Sequence, residues 1–252
     1  MNNAQLYDRE FYIKQREGSY RSAQNVINIL KQYIMPESVL DIGCGVGTWL
    51  KAWQEEGCQN IHGIDANVMP DDMLCVSRDR IEIVDFEKSL LNPGRFDLAM
   101  SLECLEHISE KRALYVADIL ASSADILLFS AAIPMQKGTN HINCKPLQYW
   151  VDFFKKKGFF CFDIIRPVCI EKSLKVNPSY MQNALIFAKR GKAKLLEEKG
   201  KCPIKSPVMF YHKCFVDKKM IHKKYPRWFI KLICCFVPKK HNREYLLEYY
   251  AR

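Results

Sequence analysis

Three glycines and an acid lie close together in the stretch Val39–Leu50, VLDIGCGVGTWL. Asp41 follows a short apolar run, and Gly43, Gly45 and Gly47 alternate before an apolar, helix-compatible segment. This order predicts a strand, a tight loop and a helix start. Glycines let a ligand lie directly on the main chain, and the open amides of the next helix would face that ligand. A carboxylate beside the loop would repel a pyrophosphate, but it suits a cationic amino group.

Two further acids end predicted strands. Asp65 ends the strand predicted at residues 60–65, about twenty residues after the glycine loop, where a carboxylate can accept both hydroxyls of a ribose. Asp85 and Phe86 end the strand predicted at residues 81–86. Either acid could instead cap a following helix, because Asp is favoured at helix N-termini.

A third polar group, ECLEH, follows the strand predicted at residues 96–102. We predict that a helix starts here, so that Glu103, Glu106 and His107 share one face at i, i+3 and i+4. Two carboxylates and an imidazole can bind a divalent ion that holds and acidifies an acceptor oxygen, and His141 could complete the set. The simpler interpretation is a helix N-terminus, which favours acids.

Strand and helix signals alternate along the chain, which predicts an α/β fold. We expect a seven-stranded, mostly parallel sheet with an antiparallel edge and helices on both faces. The predicted strands are 38–42, 60–65, 81–86, 96–102, 124–132, 159–165 and 183–188. Ligands of such sheets bind at the carboxyl ends of the strands, and all the acids named above are predicted to lie there.

The chain divides into three predicted segments. These are a helical lid at 1–37, in two pieces joined at residues 19–21, a main domain at 38–190, and a basic, partly helical extension at 191–252. The net charge is +10, but the residues from 189 onward carry 18 Lys and Arg against 5 Asp and Glu, or +13, which leaves −3 for residues 1–188. The basic pI therefore reflects the tail and not the predicted site.

The tail contains the string FVDKKMIHKKYPRWFIKLICCFVPKK, in which lysines alternate with aromatic and aliphatic residues. This composition fits a segment that contacts an anionic membrane surface. It also fits a packed extension or an RNA-facing patch, although the absence of a recognisable RNA-binding motif argues against nucleic acid.

Neither a membrane span nor secretion is predicted. No run of 18 apolar residues occurs, and the N-terminus lacks the apolar core of a signal peptide. The 11 cysteines are odd in number and none is spaced as CxxC, which argues against a disulfide framework or a zinc site. We expect a cytoplasmic protein, peripheral at the inner face of the membrane if the tail binds there.

The glycine stretch with Asp41 resembles the first motif of class I S-adenosylmethionine (SAM) dependent methyltransferases. Strings similar to those of a type 11/23-like subgroup are EGSYRSA at 17–23, TNHIN at 139–143, Tyr149-Trp150 and Gln182-Asn183. The resemblance covers about residues 5–190 and implies a Rossmann-like sheet, a lid that closes over the cofactor, and Asp85 at the adenine amino group. The residues it implies for SAM are Asp41, Gly43, Cys44, Gly45, Gly47, Asp65, Ala66, Asp85, Phe86, Ser101 and Leu102.

The subgroup resembles methyltransferases of capsule, lipopolysaccharide and other glycan pathways. That resemblance implies methylation of an oxygen on a small-molecule or nucleotide- or lipid-linked glycan acceptor, either a sugar hydroxyl or a phosphate- or phosphoramidate-type oxygen. His107 and His141 are the candidates for removing a proton from the acceptor.

Three alternatives stay open. ExxEH also resembles metal-dependent O-methyltransferases of small RNA 3′ ends and of quinone precursors, so a requirement for Mg or Mn is possible. The chain could therefore be an RNA ribose 2′-O-methyltransferase, or a quinone or small-phenol methyltransferase. A non-enzymatic scaffold is the third alternative, and the retained acids at 41, 65 and 85 argue against it.

Overall fold

A computed structural model describes residues 9–208, which form a sheet flanked by helices. The strands are β1 (Ser38–Ile42), β2 (Asn60–Asp65), β3 (Ile81–Ile83), β4 (Leu98–Leu102), β5 (Ile126–Ser130), β6 (Phe159–Phe162) and β7 (Leu185–Lys189). The helices are α1 (Arg9–Leu30), α2 (Thr48–Glu55), α3 (Glu110–Ser123), α4 (Leu147–Lys156), α5 (Ile165–Glu171), α6 (Pro178–Asn183) and α7 (Arg190–Glu198). Short 3-10 turns occupy Asp71–Met73, Arg78–Arg80 and Leu105–His107.

The seven strands have the order β3-β2-β1-β4-β5-β7-β6. Neighbours from β3 to β5 pair in parallel, whereas β7 is antiparallel to both β5 and β6. The predicted fold class is therefore confirmed. Because the order reverses between β1 and β4, the carboxyl ends of these strands border a crevice in which an open α/β sheet binds its ligand.

Hydrophobic residues cover both faces of the sheet. On β1, Val39 packs in the cluster that includes α1, α2 and α7, whereas Leu40 packs in the cluster that includes α3 and α4. Side chains of a strand alternate between faces, so a strand buried on both sides must be apolar at nearly every position. This pattern explains why the five strands between the two edge strands, β2, β1, β4, β5 and β7, can be predicted from the sequence.

Three local predictions are wrong. The lid is not two helical pieces, because α1 runs continuously through residues 19–21. ECLEH does not open a helix, since Glu103 has a φ of +53° and α3 begins only at Glu110. β3 ends at Ile83 because Asp85 starts a turn, in which its carbonyl accepts the amide of Ser89 at 2.9 Å.

The main fold extends beyond the predicted boundary at residue 190. In α7, Ala193 and Leu196 are buried against the sheet, and Ile204 forms a β-bridge with Cys161. Residues 191–208 therefore belong to the packed domain. The predicted membrane-surface segment and most of the basic extension fall in 209–252, which lie outside the described residues, as do residues 1–8.

Residues 9–208 include no helix with the length and apolarity that a bilayer crossing requires.

We predict that α7 contributes to the stability of the domain. Leu196→Ala removes a side chain that is 1% exposed and should lower the free energy of unfolding by about 2–5 kcal/mol. Leu195→Ala, at a neighbouring side chain that is 48% exposed, should change it by no more than about 0.5 kcal/mol. Urea denaturation of the two variants measures the difference, and equal effects would contradict the packing of α7.

Candidate active site

The glycine loop joins β1 to α2 and passes very close to its neighbours. A Cβ on Gly43, which has a φ of +85°, would lie 2.4 Å from Cys104 Sγ. A Cβ on Gly47, at a φ of +79°, would lie 2.9 Å from a methyl group of Val76. Both positions therefore require glycine on conformational and steric grounds. The backbone between them forms one wall of two adjoining cavities at the carboxyl ends of the strands.

Asp65 fixes this loop from the end of β2. Its Oδ2 accepts a hydrogen bond from the Gly45 amide at 2.7 Å, and its Oδ1 accepts one from the Asn67 amide at 2.9 Å. Burial raises the pKa of Asp65, and these amide donors oppose the rise. Asp65 and Ala66 line the larger cavity, of about 380 Å³, and their contact with a nucleoside stays a prediction.

Asp41 borders the smaller cavity, of about 70 Å³. Burial, together with the charge of Asp65, raises the pKa of Asp41 to about 8. The opposite wall is formed by α1 and α6, where the Ser19 hydroxyl lies 2.9 Å from Thr48 Oγ1 and 3.3 Å from the Tyr180 hydroxyl. The string 17–23 thus lies inside α1 and brings Ser19 against the glycine loop.

Asp85 and Phe86 are adjacent in the chain, but their side chains have different surroundings. Phe86 is buried and lines the larger cavity. Asp85 is half exposed and pairs with Lys88 Nζ at 3.1 Å, and this contact and the Glu87 amide lower its pKa. The Arg112 guanidinium donates to the carbonyls of Phe86 and Ser89 and so holds this loop. The adenine contact of Asp85 stays a prediction.

The remaining predicted cofactor residues have different positions. Cys44 and Leu102 line the smaller cavity, and the Cys44 thiol also packs under Gly63 of β2. Ser101 is fully buried within β4 and lines neither cavity. The predicted cofactor contact of Ser101 stays a prediction.

Glu106, His107 and His141 form a cluster in the larger cavity, and one potential ligand atom from each lies within 4.8 Å of the others. The two imidazole centroids are 5.0 Å apart. Burial and the neighbouring His141 lower the pKa of His107 to about 4, and burial lowers the pKa of His141. Both rings are therefore neutral at pH 7, as metal ligation or proton acceptance requires.

Glu106 is fully buried, and its carboxylate oxygens make no hydrogen bond of normal geometry with the described residues. Burial, and next the charge of Glu103, raise its pKa well above the usual value, and nearby amides only partly oppose this. A buried carboxyl group without partners is costly unless it is protonated or meets a cation. The donor set of one carboxylate and two imidazoles thus fits a divalent metal ion.

The TNHIN string holds His141 against this turn. The amides of Ile142 and Asn143 both donate to the carbonyl of Glu106, at 2.9 and 3.0 Å. The Asn143 side chain donates to the carbonyl of Leu105 at 3.2 Å. His141 Nδ1 lies 3.2 Å from the Gln136 carbonyl, which can only accept, so Nδ1 carries the proton and Nε2 is unprotonated in the neutral ring.

Glu103 does not join that cluster. Its φ of +53° turns the side chain toward α6, where Oε2 accepts from Gln136 Nε2 at 2.8 Å and Oε1 accepts from Asn183 Nδ2 at 3.1 Å. Gln136 Oε1 in turn accepts from Asn183 and Gln182 at 2.8 and 3.0 Å. The QN string is thus part of a buried amide network around Glu103.

Sequence reasoning missed several residues of the two cavities. They are Arg16, Thr48, Asn67, Gln136, Ser179 and Tyr180. Tyr180 lies more than 130 residues from the glycine loop, and no spacing rule connects the two. A signal did exist for Asn67, because a residue two positions after a strand-terminal Asp commonly donates its amide to that carboxylate.

Comparisons with known proteins agree with this geometry. Residues 12–128 match a family model described as a methyltransferase domain. The X-ray structure of the sugar N-methyltransferase KedS8 from Streptoalloteichus sp. ATCC 53650 is similar, with 11% identity, a TM-score of 0.52, and coverage of 72% of this chain and 92% of that chain. That likeness shows the fold alone. No curated protein matches the chain.

Two further solved structures have lower scores. The methyltransferase domain of bacterial CtHen1-C is 16% identical, with a TM-score of 0.46 and coverage of 68% of this chain and 97% of that chain. The magnesium protoporphyrin IX methyltransferase ChlM from Synechocystis PCC 6803, with bound SAM, is also 16% identical, with a TM-score of 0.48 and coverage of 73% and 88%. Both TM-scores lie below 0.5, so these two likenesses add nothing to the assignment of the fold.

The glycine loop after β1, the carboxylate after β2 and the reversed strand order define a Rossmann-like domain that binds a nucleoside at its crevice. The matched methyltransferase domain spans that loop and the first four strands. The chain therefore carries a methyltransferase domain over residues 12–128.

We predict that Asp65 and Asp85 differ in their effect on cofactor affinity. Asp65→Ala removes the acceptor of two loop amides and should weaken SAM binding at least about tenfold, or 1.4 kcal/mol. Asp85→Ala changes an exposed side chain and should weaken it less than about threefold. Calorimetric titration measures both constants, and melting temperatures check folding. A comparable loss in both variants would instead support the predicted adenine contact of Asp85.

We also predict that SAM binding releases a proton from Asp41. With a pKa of about 8, Asp41 is about nine-tenths protonated at pH 7 in the free protein. The cationic amino group of SAM favours the ionised carboxylate, so binding should release most of one proton at pH 7. At pH 9 Asp41 is already ionised, and the α-amino group of SAM, with an ordinary pKa of about 7.7–8.0, should instead take up a proton on binding. Calorimetry in phosphate and in HEPES buffer, which differ in their enthalpy of ionisation, counts the protons. Release that persists in Asp41→Asn would assign the proton to another group.

Proposed function

We propose that the protein transfers the methyl group of SAM to an oxygen of a small or glycan-type acceptor. The observation that supports this proposal is the neutral imidazole pair beside the buried, unpartnered Glu106, all facing the larger cavity. SAM supplies an activated methyl on its sulfonium. What the protein must add is alignment of the acceptor and, for a hydroxyl, removal of its proton.

The cofactor residues fit SAM along its length. Asp41 in the smaller cavity suits the amino group of the methionine part, and the sterically required Gly43 leaves the backbone open to the ligand. Asp65 suits the ribose hydroxyls, and Phe86 gives the base an apolar neighbour. The two acids come from successive strands of the sheet, and both cavities share the glycine loop.

Glu106, His107 and His141 would hold a divalent cation, Mg²⁺ or Mn²⁺, which lowers the pKa of an oxygen that it binds. The chain itself keeps His107 neutral by burial and orients His141 through the Gln136 carbonyl. Without a metal ion, the unprotonated Nε2 of His141 is the candidate base for the hydroxyl proton of the acceptor. With a metal ion, the same Nε2 would be the ligand atom of His141.

A polar, extended acceptor fits the rim of the larger cavity. Lys137, Thr139 and Asn140 line it, and Lys137 and Thr139 are exposed. A lysine at the mouth suits a phosphate-bearing or otherwise anionic acceptor, such as a nucleotide- or lipid-linked sugar. Together with the resemblance of the strings to glycan-pathway methyltransferases, this supports the proposal of a role in surface polysaccharide biosynthesis, such as that of capsule or lipopolysaccharide. Contact of the basic tail with the inner face of a membrane would bring the enzyme to a lipid-linked acceptor.

An acceptor screen tests the proposal. Labelled SAM is incubated with nucleotide-linked sugars, phosphorylated metabolites, quinol precursors and small RNA, with Mn²⁺ or with EDTA. Transfer to an oxygen of a sugar or phosphate-type acceptor supports it. Transfer to an RNA ribose or to a phenol would show that the acceptor is not of the glycan type. Transfer to a nitrogen atom would overturn the proposed O-methylation.

We predict that His141 matters for turnover more than for cofactor binding. His141→Ala should lower kcat about 10²–10⁴-fold, because it removes a proton acceptor or metal ligand, while the Kd of SAM stays nearly constant. His62→Ala, at a half-buried histidine of β2 outside both cavities, is the matched control. Activity that survives exhaustive chelation and does not rise with Mn²⁺ would remove the metal from the proposal.

A further inference from the structure

We infer that Glu103 makes the site selective for the cationic cofactor over its neutral product, so that SAM binds more tightly than S-adenosylhomocysteine (SAH) because of this one carboxylate. The inference rests on SAM as the methyl donor. It does not depend on the acceptor or on a metal.

The two cavities meet at a defined place. Three residues line both of them: Gly43, Gly45 and Glu103. Since two of these are glycines, Glu103 provides the side chain at the junction. Asp41 lies on the smaller cavity and Asp65 on the larger one.

The covalent order of the cofactor matches this arrangement. The sulfur of SAM lies between the amino acid part and the ribose. With the amino group at Asp41 and the ribose at Asp65, the sulfur must lie where the cavities join, beside Glu103. A carboxylate near a sulfonium stabilises it by charge attraction, and the attraction is strengthened when water is excluded.

The surrounding residues hold Glu103 in place. Gln136 and Asn183 each donate to one carboxylate oxygen. Burial raises the pKa of Glu103, and these donors, together with the hydroxyls of Ser130 and Ser179, oppose the rise. The donors are neutral, so they orient the negative charge without cancelling it. Its two amide partners fix the direction of the carboxylate, and a sulfonium placed beside it would favour the ionised form.

The charge of the cofactor changes during the reaction. When the methyl leaves, the S–CH3 bond breaks with its electron pair remaining on sulfur, and the methyl forms a bond to the acceptor oxygen. SAH is therefore neutral at the sulfur, and the attraction to Glu103 is lost. The amino and ribose groups are the same in both molecules, so Asp41 and Asp65 cannot distinguish them.

Calorimetric titration of SAM and SAH, without acceptor and in EDTA, tests the inference. Glu103→Gln should raise the Kd of SAM at least about tenfold and the Kd of SAH less than about threefold. Asp41→Asn is the matched control and should weaken both ligands by similar factors. If Glu103→Gln weakens both equally, Glu103 only shapes the cavity and the inference is overturned.

A ligand-based measurement covers the case in which Glu103→Gln does not fold. Sinefungin has an ammonium group in place of the methylated sulfur and is therefore cationic at the same point. The unmodified protein should bind SAM and sinefungin more tightly than SAH. Equal or tighter binding of SAH would contradict the inference. Failure of SAM, SAH and sinefungin all to bind would instead overturn the cofactor assignment on which the proposed function rests.

Discussion

The hydrogen bond from the Gly45 amide to Asp65, at 2.7 Å, is the contact on which the site depends. It ties the loop after β1 to the end of β2, so the backbone wall and the Asp65 carboxylate keep one relative position. The loop can follow this path only because Gly43 passes against Cys104 without a side chain. One hydrogen bond thus fixes both the backbone of the glycine loop and the position of the Asp65 carboxylate. The surface that faces the ligand is therefore preformed.

The far side of the site is built from chain segments that are distant in sequence. The turn at residues 105–107 is held by the backbone of the loop at residues 139–143, and Glu103 is held by side chains from residues 136 and 183. The strings TNHIN and Gln182-Asn183 therefore each have a structural task. Such contacts join segments through buried hydrogen bonds, which are costly to leave unsatisfied.

The fold class is confirmed. The sequence predicts the sheet well because a strand that is buried on both faces of the sheet is a continuous hydrophobic run. It also places Asp41 and Asp65 correctly beside a crevice, since strand ends meet at one edge. It fails at Glu103, where a left-handed residue breaks the i, i+3 spacing on which the shared helix face depended. The periodicity of hydrophobic residues cannot reveal a positive φ at a non-glycine residue. It also cannot reveal that the chain brings Tyr180 to the cavity beside the glycine loop.

The crevice concentrates acidic groups at positions 41, 65, 103 and 106, and burial raises the pKa of each of them. A region of this kind attracts small organic cations of many types and not only its proper ligand. Tris, imidazole and polyamines in a storage solution would therefore occupy it weakly and lower the apparent affinity of the cofactor. The choice of solution becomes part of any binding constant measured for this enzyme, and a buffer without cationic amines gives the value closest to the intrinsic one.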